Sequence, residues 1–190
     1  MESIKKQLSD YYTIGRLFIR WLILSVIIGL LVGGFSTILS KSMALATAFR
    51  VENGYIVYFL PLGGLIIAAL YKGFHMENDR GTNTVLANIH AQSEIPFRMA
   101  PLIFISTVIT HLFGGSAGRE GAALQLGGSI GNKIGAVIGL DDEDRRVMVM
   151  CGMSAAFSAL FGTPMAAAIF PMEMVSVGVM YYAALFPCVI

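Results

Sequence analysis

The amino-acid sequence predicts an all-α polytopic membrane protein. Hydrophobic residues make up 56% of its 190 residues and charged residues only 13%, whereas an average soluble domain is about 25% charged. So little charge leaves a folded globule of this length without enough polar surface. Composition therefore argues against a soluble enzyme domain, a disordered tail or a nucleic-acid-binding module. The net charge of +1 points to no acidic or basic partner.

Long runs with almost no charged residue predict the membrane helices, because about 20 apolar residues cross a bilayer. We expect residues 1–15 to form an interfacial lead-in and residues 16–190 to hold the membrane helices. Pro61-Leu62-Gly63-Gly64 predicts a tilted or kinked second helix, and Gly162-Thr163-Pro164 divides the fifth run into two short helices. The runs are 21–40, 55–71, 99–118, 121–140, 147–172 and 174–190.

The connections between these runs are polar. Residues 78–84 form a turn-rich stretch before a short, weakly apolar segment at 85–90, and the charged residues 141–146 are expected to form a solvated loop. Basic residues near the first run weakly place the N-terminus in the cytoplasm. Cys151 and Cys188 lie in apolar stretches and are expected to be small buried side chains. Their spacing predicts neither a disulfide framework nor a metal site, and no cofactor is implied.

The stretch His111 to Gly121 is the most unusual part of the sequence. Arg119 and Glu120 lie between apolar runs, where a charge is costly unless it is paired or faces water. Four glycines within residues 114–121 indicate irregular backbone, which is tolerated at membrane depth only inside protein or along a cavity. We predict a glycine loop leading into a helix N-terminus, whose free N–H groups attract an anion. The Glu120 carboxylate can take the anion's place and leave on protonation.

Other interpretations of this stretch remain open. Arg119 and Glu120 can belong to a simple surface loop between two spans. A phosphate-binding loop would end in Gly-Lys-Ser/Thr, which is missing here. An intramembrane serine protease would need Ser116 and His111 to meet, which five residues apart on one segment they need not do.

Glycines recur every four residues after Glu120 and predict close helix packing. This small-xxx-small pattern lets another helix approach, so we expect this helix to lie inside a bundle rather than against lipid. The glycines are Gly127, Gly131, Gly135 and Gly139.

Two further helix starts follow polar turns. Gly81-Thr82-Asn83-Thr84 offers hydroxyl and amide groups and N-capping chemistry, and an ordinary turn and an anion site fit it equally well. Pro164 restarts a helix, and Glu173 follows nine residues later. A proton site is one interpretation of Glu173, but a structural hydrogen-bond acceptor or a membrane-edge residue is favoured.

These motifs resemble the CLC family of chloride channels and proton-coupled anion transporters. Gly118-Arg119-Glu120-Gly121 with Gln125, Gly127 and Gly128 is similar to the family's GREGP-x-x-Q-x-G signature. The letters AAF at 155–157, TPMA at 163–166 and FPME at 170–173 resemble a second family segment, and GTNTV at 81–85 takes the place of its GSGIP loop.

The resemblance implies a CLC-type fold of two inverted halves, in which broken helices point their N-termini at an anion in mid-membrane. It implies that Glu120 is the gating and proton-accepting residue and that Thr82 stands at the central anion-coordinating loop. It also implies a homodimer in a bacterial inner membrane, with chloride or fluoride and protons as the transported ions. The anion-binding positions are Gly81, Thr82, Asn83, Gly118, Arg119, Gly121 and Ala122.

Several positions depart from the family's usual pattern. Ala122 and Val85 replace prolines, and Thr82-Asn83 replaces Ser-Gly. The run from Thr110 to Gly121 is similar to the bacterial branch that exports fluoride in exchange for protons. Met174 stands where chloride/proton exchangers usually carry an internal glutamate. Chloride or fluoride, and channel or antiporter, therefore stay open.

By analogy with the family, 190 residues correspond to the N-terminal half alone. We expect the C-terminal half, with its own anion-facing helix and coordinating tyrosine, to be absent, and we expect this chain alone not to conduct. The favoured function is transmembrane anion transport gated by Glu120. A non-conducting fragment or interaction subunit is the alternative, and an intramembrane protease is a remote one.

Overall fold

A computed structural model of the chain describes residues 2–79, 81–91, 95–175 and 181–190. Within these ranges the chain is helical and contains no strand, which confirms the predicted all-α class. The α-helices are α1 (Glu2–Glu52), α2 (Leu60–Gly73), α3 (Thr82–Ala91), α4 (Met99–Leu112), α5 (Arg119–Ile138), α6 (Asp142–Phe161), α7 (Pro164–Val175) and α8 (Leu185–Val189), with 3₁₀ turns at Gly54–Phe59 and Tyr182–Ala184.

The first predicted span lies inside one long helix. Helix α1 has 51 residues and runs without a break through the predicted boundary at residue 15. Among the described residues, Ile14–Glu52 and Gly54–Gly73 are long and apolar enough to cross a membrane. The 39 residues of the first stretch reach about 58 Å at about 1.5 Å per residue, against a hydrocarbon core of about 30 Å. Helix α1 is therefore long enough to extend beyond the hydrocarbon core.

The second predicted span changes its helical type near its start. A 3₁₀ turn covers Gly54–Phe59, and α2 begins at Leu60 with Pro61 in its first turn. Proline suits this place because the first N–H groups of a helix have no partner within the helix. The predicted irregularity thus appears as a junction between two helical types.

The charged run 141–146 begins a helix, so the predicted loop there was wrong. Asp141 caps α6, because its carboxylate accepts a hydrogen bond from the backbone N–H of Asp144 at 2.8 Å. Acidic side chains in a first turn also favour helix formation through the helix dipole. A salt bridge of 3.0 Å between Arg20 and Asp144 then ties α1 to the start of α6.

The fifth predicted run is divided where its sequence predicts. Gly162 adopts a left-handed conformation with φ of 68°, and its N–H donates to the Ser158 carbonyl at 2.8 Å. Helix α6 ends there, and α7 begins at Pro164. The predicted break is present, although α6, with 20 residues, is longer than the short helix that was expected.

Helices α5 and α6 form the closest packing in the described chain. A Cβ atom on Gly127 would overlap the Gly152 carbonyl, and one on Gly131 would overlap the Met148 carbonyl. A Cβ atom on Gly135 would lie 3.1 Å from Cγ of Arg145. Three of the four predicted packing glycines therefore face α6, as a small-residue stripe should.

Gly139 does not take part in this packing, so that prediction was wrong. Its φ is 75°, and a Cβ atom there would meet nothing within 4 Å. The residue ends α5 in a left-handed turn in which the Leu140 N–H donates to the Gly135 carbonyl at 3.0 Å. Glycine is favoured at such a turn because it has no Cβ to clash.

The outer faces of the first helices are apolar. Leu30 and Leu45 of α1 are 74% and 72% exposed, and Leu65 of α2 is 69% exposed. Exposed apolar surface of this extent marks contact with lipid or with another protein segment. Inside the bundle, apolar side chains of α1, α5 and α6 form one core with Val85 of α3.

Candidate functional site

The glycine loop leads into the start of α5, as the sequence predicts. Gly114 has a φ of 84°, and the Gly115 N–H donates to the Thr110 carbonyl at 2.8 Å, which closes the turn after α4. Gly118 is extended and is the N-cap of α5, without a side chain that could accept a cap hydrogen bond. The first N–H groups of α5 are therefore without intrahelical partners.

Glu120 folds back over this helix start. A Cβ atom on Gly118 would lie only 3.3 Å from Oε2 of Glu120. The carboxylate therefore lies beside the N-cap, where the helix dipole favours negative charge. The absence of a side chain at Gly118 leaves the room that the carboxylate uses.

Arg119 and Glu120 both lie on an exposed part of the described chain. Neither forms a salt bridge with another residue in the described ranges. The sequence required that these two charges be either paired or facing water. In the structure they are unpaired within the described ranges and lie on an open face.

The second polar helix start, that of α3, is held by a compact turn. Gly81 has a φ of 61°, and its carbonyl accepts the Thr84 N–H at 2.9 Å. The Thr84 hydroxyl donates to the Asp79 carboxylate at 2.6 Å. Thr82 is the first residue of α3, and the first turn contains no acidic side chain.

The starts of α3 and α5 meet. A Cβ atom on Gly121 would lie 3.2 Å from the Thr82 hydroxyl oxygen. The Gln125 side-chain amide lies 3.5 Å from the same oxygen, and also 3.5 Å from a Cβ atom built on Gly81. Two helix N-termini, each with a partial positive charge of about one half, thus share one small region.

The other predicted anion-site residues occupy different places. Ala122 is buried just inside α5; its N–H follows the N-cap by four residues, the spacing at which a helix pairs the N–H with the N-cap carbonyl. Asn83 is exposed, and no hydrogen bond recorded for the described chain joins it to α5. Gly81, Thr82, Gly118 and Gly121 therefore form the region where the helix starts meet, and Asn83 lies at its edge.

Gln125, the glutamine of the GREGP-x-x-Q-x-G resemblance, also lies in this region, although it was not among the predicted site residues. It is only 6% exposed, and its amide oxygen has no hydrogen-bond partner among the described residues. Its amide N–H points at the Thr82 oxygen. A hydroxyl that accepts a hydrogen bond from Gln125 keeps its own hydrogen free to donate, which suits an anion. Its place in the signature resemblance was the sequence signal that pointed to it.

The two candidate protease residues are not assembled for catalysis. Nδ1 of His111 lies 2.8 Å from the Thr107 carbonyl of its own helix. No hydrogen bond joins Ser116 to His111 within residues 95–175. A serine nucleophile requires a base within hydrogen-bond reach, so this geometry does not favour a protease.

Val85 occupies a packing position next to the site. It is fully buried in α3, and a Cβ atom on Gly128 of α5 would lie 2.6 Å from its Cγ1. The small residue at 128 therefore allows α3 to approach α5 closely. This contact helps to hold the two helix starts in place.

The described helices form a bundle in which the N-termini of two helices, α3 and α5, meet beside an open face. Residues 63–190 match the sequence profile of the family described as "Voltage gated chloride channel". The chain belongs to this family, the CLC family.

Relatives of this chain transport or conduct anions, according to their names. It is 41% identical, over 90% of its length, to a chloride/fluoride channel protein of Pseudomonas syringae, of which it covers 38%. It is 25% identical, over 80% of its length, to an H⁺/Cl⁻ exchange transporter of Vibrio cholerae, of which it covers 36%. The chain thus spans about two fifths of the length of the curated relatives it matches.

Solved structures show the same fold. The crystal structure of a CLC-type fluoride/proton antiporter superposes with a TM-score of 0.82 at 36% identity, covering 88% of this chain and 42% of the antiporter chain. A slow cyanobacterial Cl⁻/H⁺ antiporter superposes with a TM-score of 0.68 at 22% identity. This second likeness supports the fold alone.

Proposed function

We propose that this chain forms part of a CLC-type pathway that carries a small anion, chloride or fluoride, across a membrane. The observation that carries the proposal is the meeting of the α3 and α5 N-termini at Thr82 and Gly121. Free N–H groups and a donating hydroxyl are suited to an anion. The family and its named relatives supply the same class of cargo.

In this proposal Glu120 is the gate. Its carboxylate occupies the positive end of α5 when it is ionised and so competes with a dissolved anion. Protonation removes its negative charge, and an anion can then bind between the two helix starts. A single carboxylate that either binds a proton or excludes an anion gives a physical basis for coupling the two ions.

The wider setting follows from the relatives. They are channels and transporters rather than enzymes, and they come from bacteria, so we propose a multi-pass location in a bacterial inner membrane. We also propose that a further segment, corresponding to a C-terminal half, completes the anion site. The open face beside Arg119 and Glu120 supports this proposal. A homodimer with an interface near α7 and α8 is proposed from the family resemblance.

The test is ion flux in liposomes. The chain is reconstituted alone and, separately, joined to the part of the Pseudomonas syringae relative that lies outside the matched segment. Release of chloride and of fluoride is followed with ion-selective electrodes, and proton movement with a pH electrode. Glu120→Gln is compared with Glu52→Gln, a matched change of an exposed glutamate at the end of α1.

We expect the chimera to release at least one of the two anions and the chain alone to release neither. Glu120→Gln should remove proton coupling or gating, whereas Glu52→Gln should behave like the parent. An unchanged pH response in Glu120→Gln would refute the gate. A folded chimera that carries neither anion, while the intact relative carries one, would refute the anion pathway.

A further inference from the structure

The two cysteines of the chain lie in contact, although they are 37 residues apart. Cys151 belongs to α6 and Cys188 to α8, and their Sγ atoms are 3.8 Å apart. Both are buried, with 3% and 8% of their surface exposed. The sequence predicted two small buried side chains without a disulfide framework, and burial is confirmed. The contact between the only two cysteines of the sequence was not predicted from their spacing.

A cavity gives small molecules a route to both sulfur atoms. Its volume is about 290 Å³, and its wall includes Cys151, Cys188 and the hydroxyl-bearing Ser25, Ser154 and Ser158. A water molecule occupies about 30 Å³ of liquid, so the space admits a small polar reagent. Hydroxyl groups along the wall favour such a reagent over lipid.

A contact that does not involve the thiols holds Cys188 in place. The Ser154 hydroxyl donates to the Cys188 carbonyl at 3.0 Å, and this ties the backbone of α8 to α6. The two sulfur atoms must approach from 3.8 Å to about 2.0 Å to form a disulfide. Rotation about the Cα–Cβ bonds is the movement that would shorten this distance.

We propose that Cys151 and Cys188 form an oxidisable dithiol, which hydrogen peroxide entering the cavity converts into a disulfide between α6 and α8. One thiol gives up its proton, and its sulfur attacks a peroxide oxygen; the O–O bond breaks, leaving a sulfenic acid and one water. The second sulfur attacks the sulfenic sulfur and releases a second water. Two S–H bonds are lost, one S–S bond forms, and the peroxide is reduced to two waters.

The disulfide would bind α8 covalently to the core of the bundle. Closing the chain between residues 151 and 188 restricts the unfolded state, so the oxidised protein should unfold at a higher temperature. We expect a rise in Tm of about 5–10 °C. This inference does not depend on the proposed anion pathway, since it requires only the folded chain.

The test is peroxide treatment of the purified 190-residue chain in detergent. Intact mass should fall by about 2 Da, the mass of two hydrogens, and maleimide labelling after denaturation should fall from two thiols to none; dithiothreitol should restore both. Cys151→Ser and Cys188→Ser should each retain one labelled thiol or gain oxygen. A non-reducing gel checks that the product is monomeric.

Three results would overturn the proposal. Both thiols could persist in the folded chain at a peroxide concentration that oxidises the denatured chain. The native product could gain oxygen mass on each sulfur instead of losing two hydrogens. The disulfide could form only between two chains. Circular dichroism of the serine variants should match that of the parent, and this measurement separates a misfolded variant from an altered oxidation product.

Discussion

Replacing Gly131 with alanine tests the contact on which the bundle depends. A Cβ atom there would overlap the Met148 carbonyl oxygen and lie 3.0 Å from the carbonyl carbon. These are backbone atoms within α6, so no side-chain rotation relieves the clash, and the helices must separate. Overpacking a core costs about 1–3 kcal/mol, and alanine in a helix returns up to about 1 kcal/mol relative to glycine. We expect a net loss of about 1–2 kcal/mol.

Gly34→Ala is the matched control. Gly34 lies in α1 and is exposed, and a Cβ atom there would meet nothing within 4 Å. At this position only the higher helix propensity of alanine applies, so the substitution should raise the free energy of unfolding rather than lower it. Thermal unfolding in detergent is followed by circular dichroism. The Tm of Gly131→Ala should be about 2–8 °C below that of the parent, and the Tm of Gly34→Ala should equal or exceed it. A Gly131→Ala protein as stable as Gly34→Ala would refute the reasoning.

Three further predictions concern caps, the site and pH. Asp141→Ala removes the α6 cap and should cost about 1 kcal/mol of unfolding free energy. Thr82→Val and Gln125→Met should each weaken anion binding by the chimera, which is measured by calorimetric titration. If Gln125 acts through the Thr82 hydroxyl, the double variant should bind the anion as tightly as Thr82→Val alone. Burial and the charge of Asp141 raise the pKa of Asp144 despite its salt bridge to Arg20, so ionisation of this carboxyl lowers stability relative to its protonated form; the Tm of the parent relative to that of Asp144→Asn should therefore fall as pH rises above about 4.

Local signals predicted the helix breaks well. Gly162 permits the left-handed turn that ends α6, and Pro164 has a fixed φ that suits the first turn of α7, so both signals could be recognised in the sequence. The charged run 141–146 was misread because composition alone does not separate a solvated loop from a helix N-terminus. The distinguishing feature is the Asp141 cap on the Asp144 N–H, which is a three-residue pattern rather than a property of the run.

Periodicity identified the packing helix but not its end. Gly127, Gly131 and Gly135 continue a spacing of four and meet α6, whereas Gly139 keeps the same spacing and ends the helix instead. A repeat shows which face a residue would occupy if the helix continued. It carries no information about where the helix stops.

The site was only partly readable from the sequence. A glycine loop before Glu120 indicates an exposed helix start by local chemistry, but its meeting with Thr82 was expected from the family resemblance alone. Gln125 contacts a residue 43 positions earlier in the chain. No pattern within either segment specifies such a tertiary contact, so its role emerged only from the folded structure.

Within the described residues, no lysine or arginine side chain forms an ion pair in the site. This affects how tightly an anion would be held there. Free N–H groups, a hydroxyl and helix dipoles supply partial charges, whereas a buried lysine or arginine would supply a full one. Conduction requires binding strong enough for entry and weak enough for release, and partial charges meet that requirement better than a salt bridge. Arg119, which is exposed beside the α5 start, would in the proposed pathway attract the anion from outside rather than hold it. In the proposed pathway, the competition between Glu120 and the anion is effective because neither is bound by a full opposite charge.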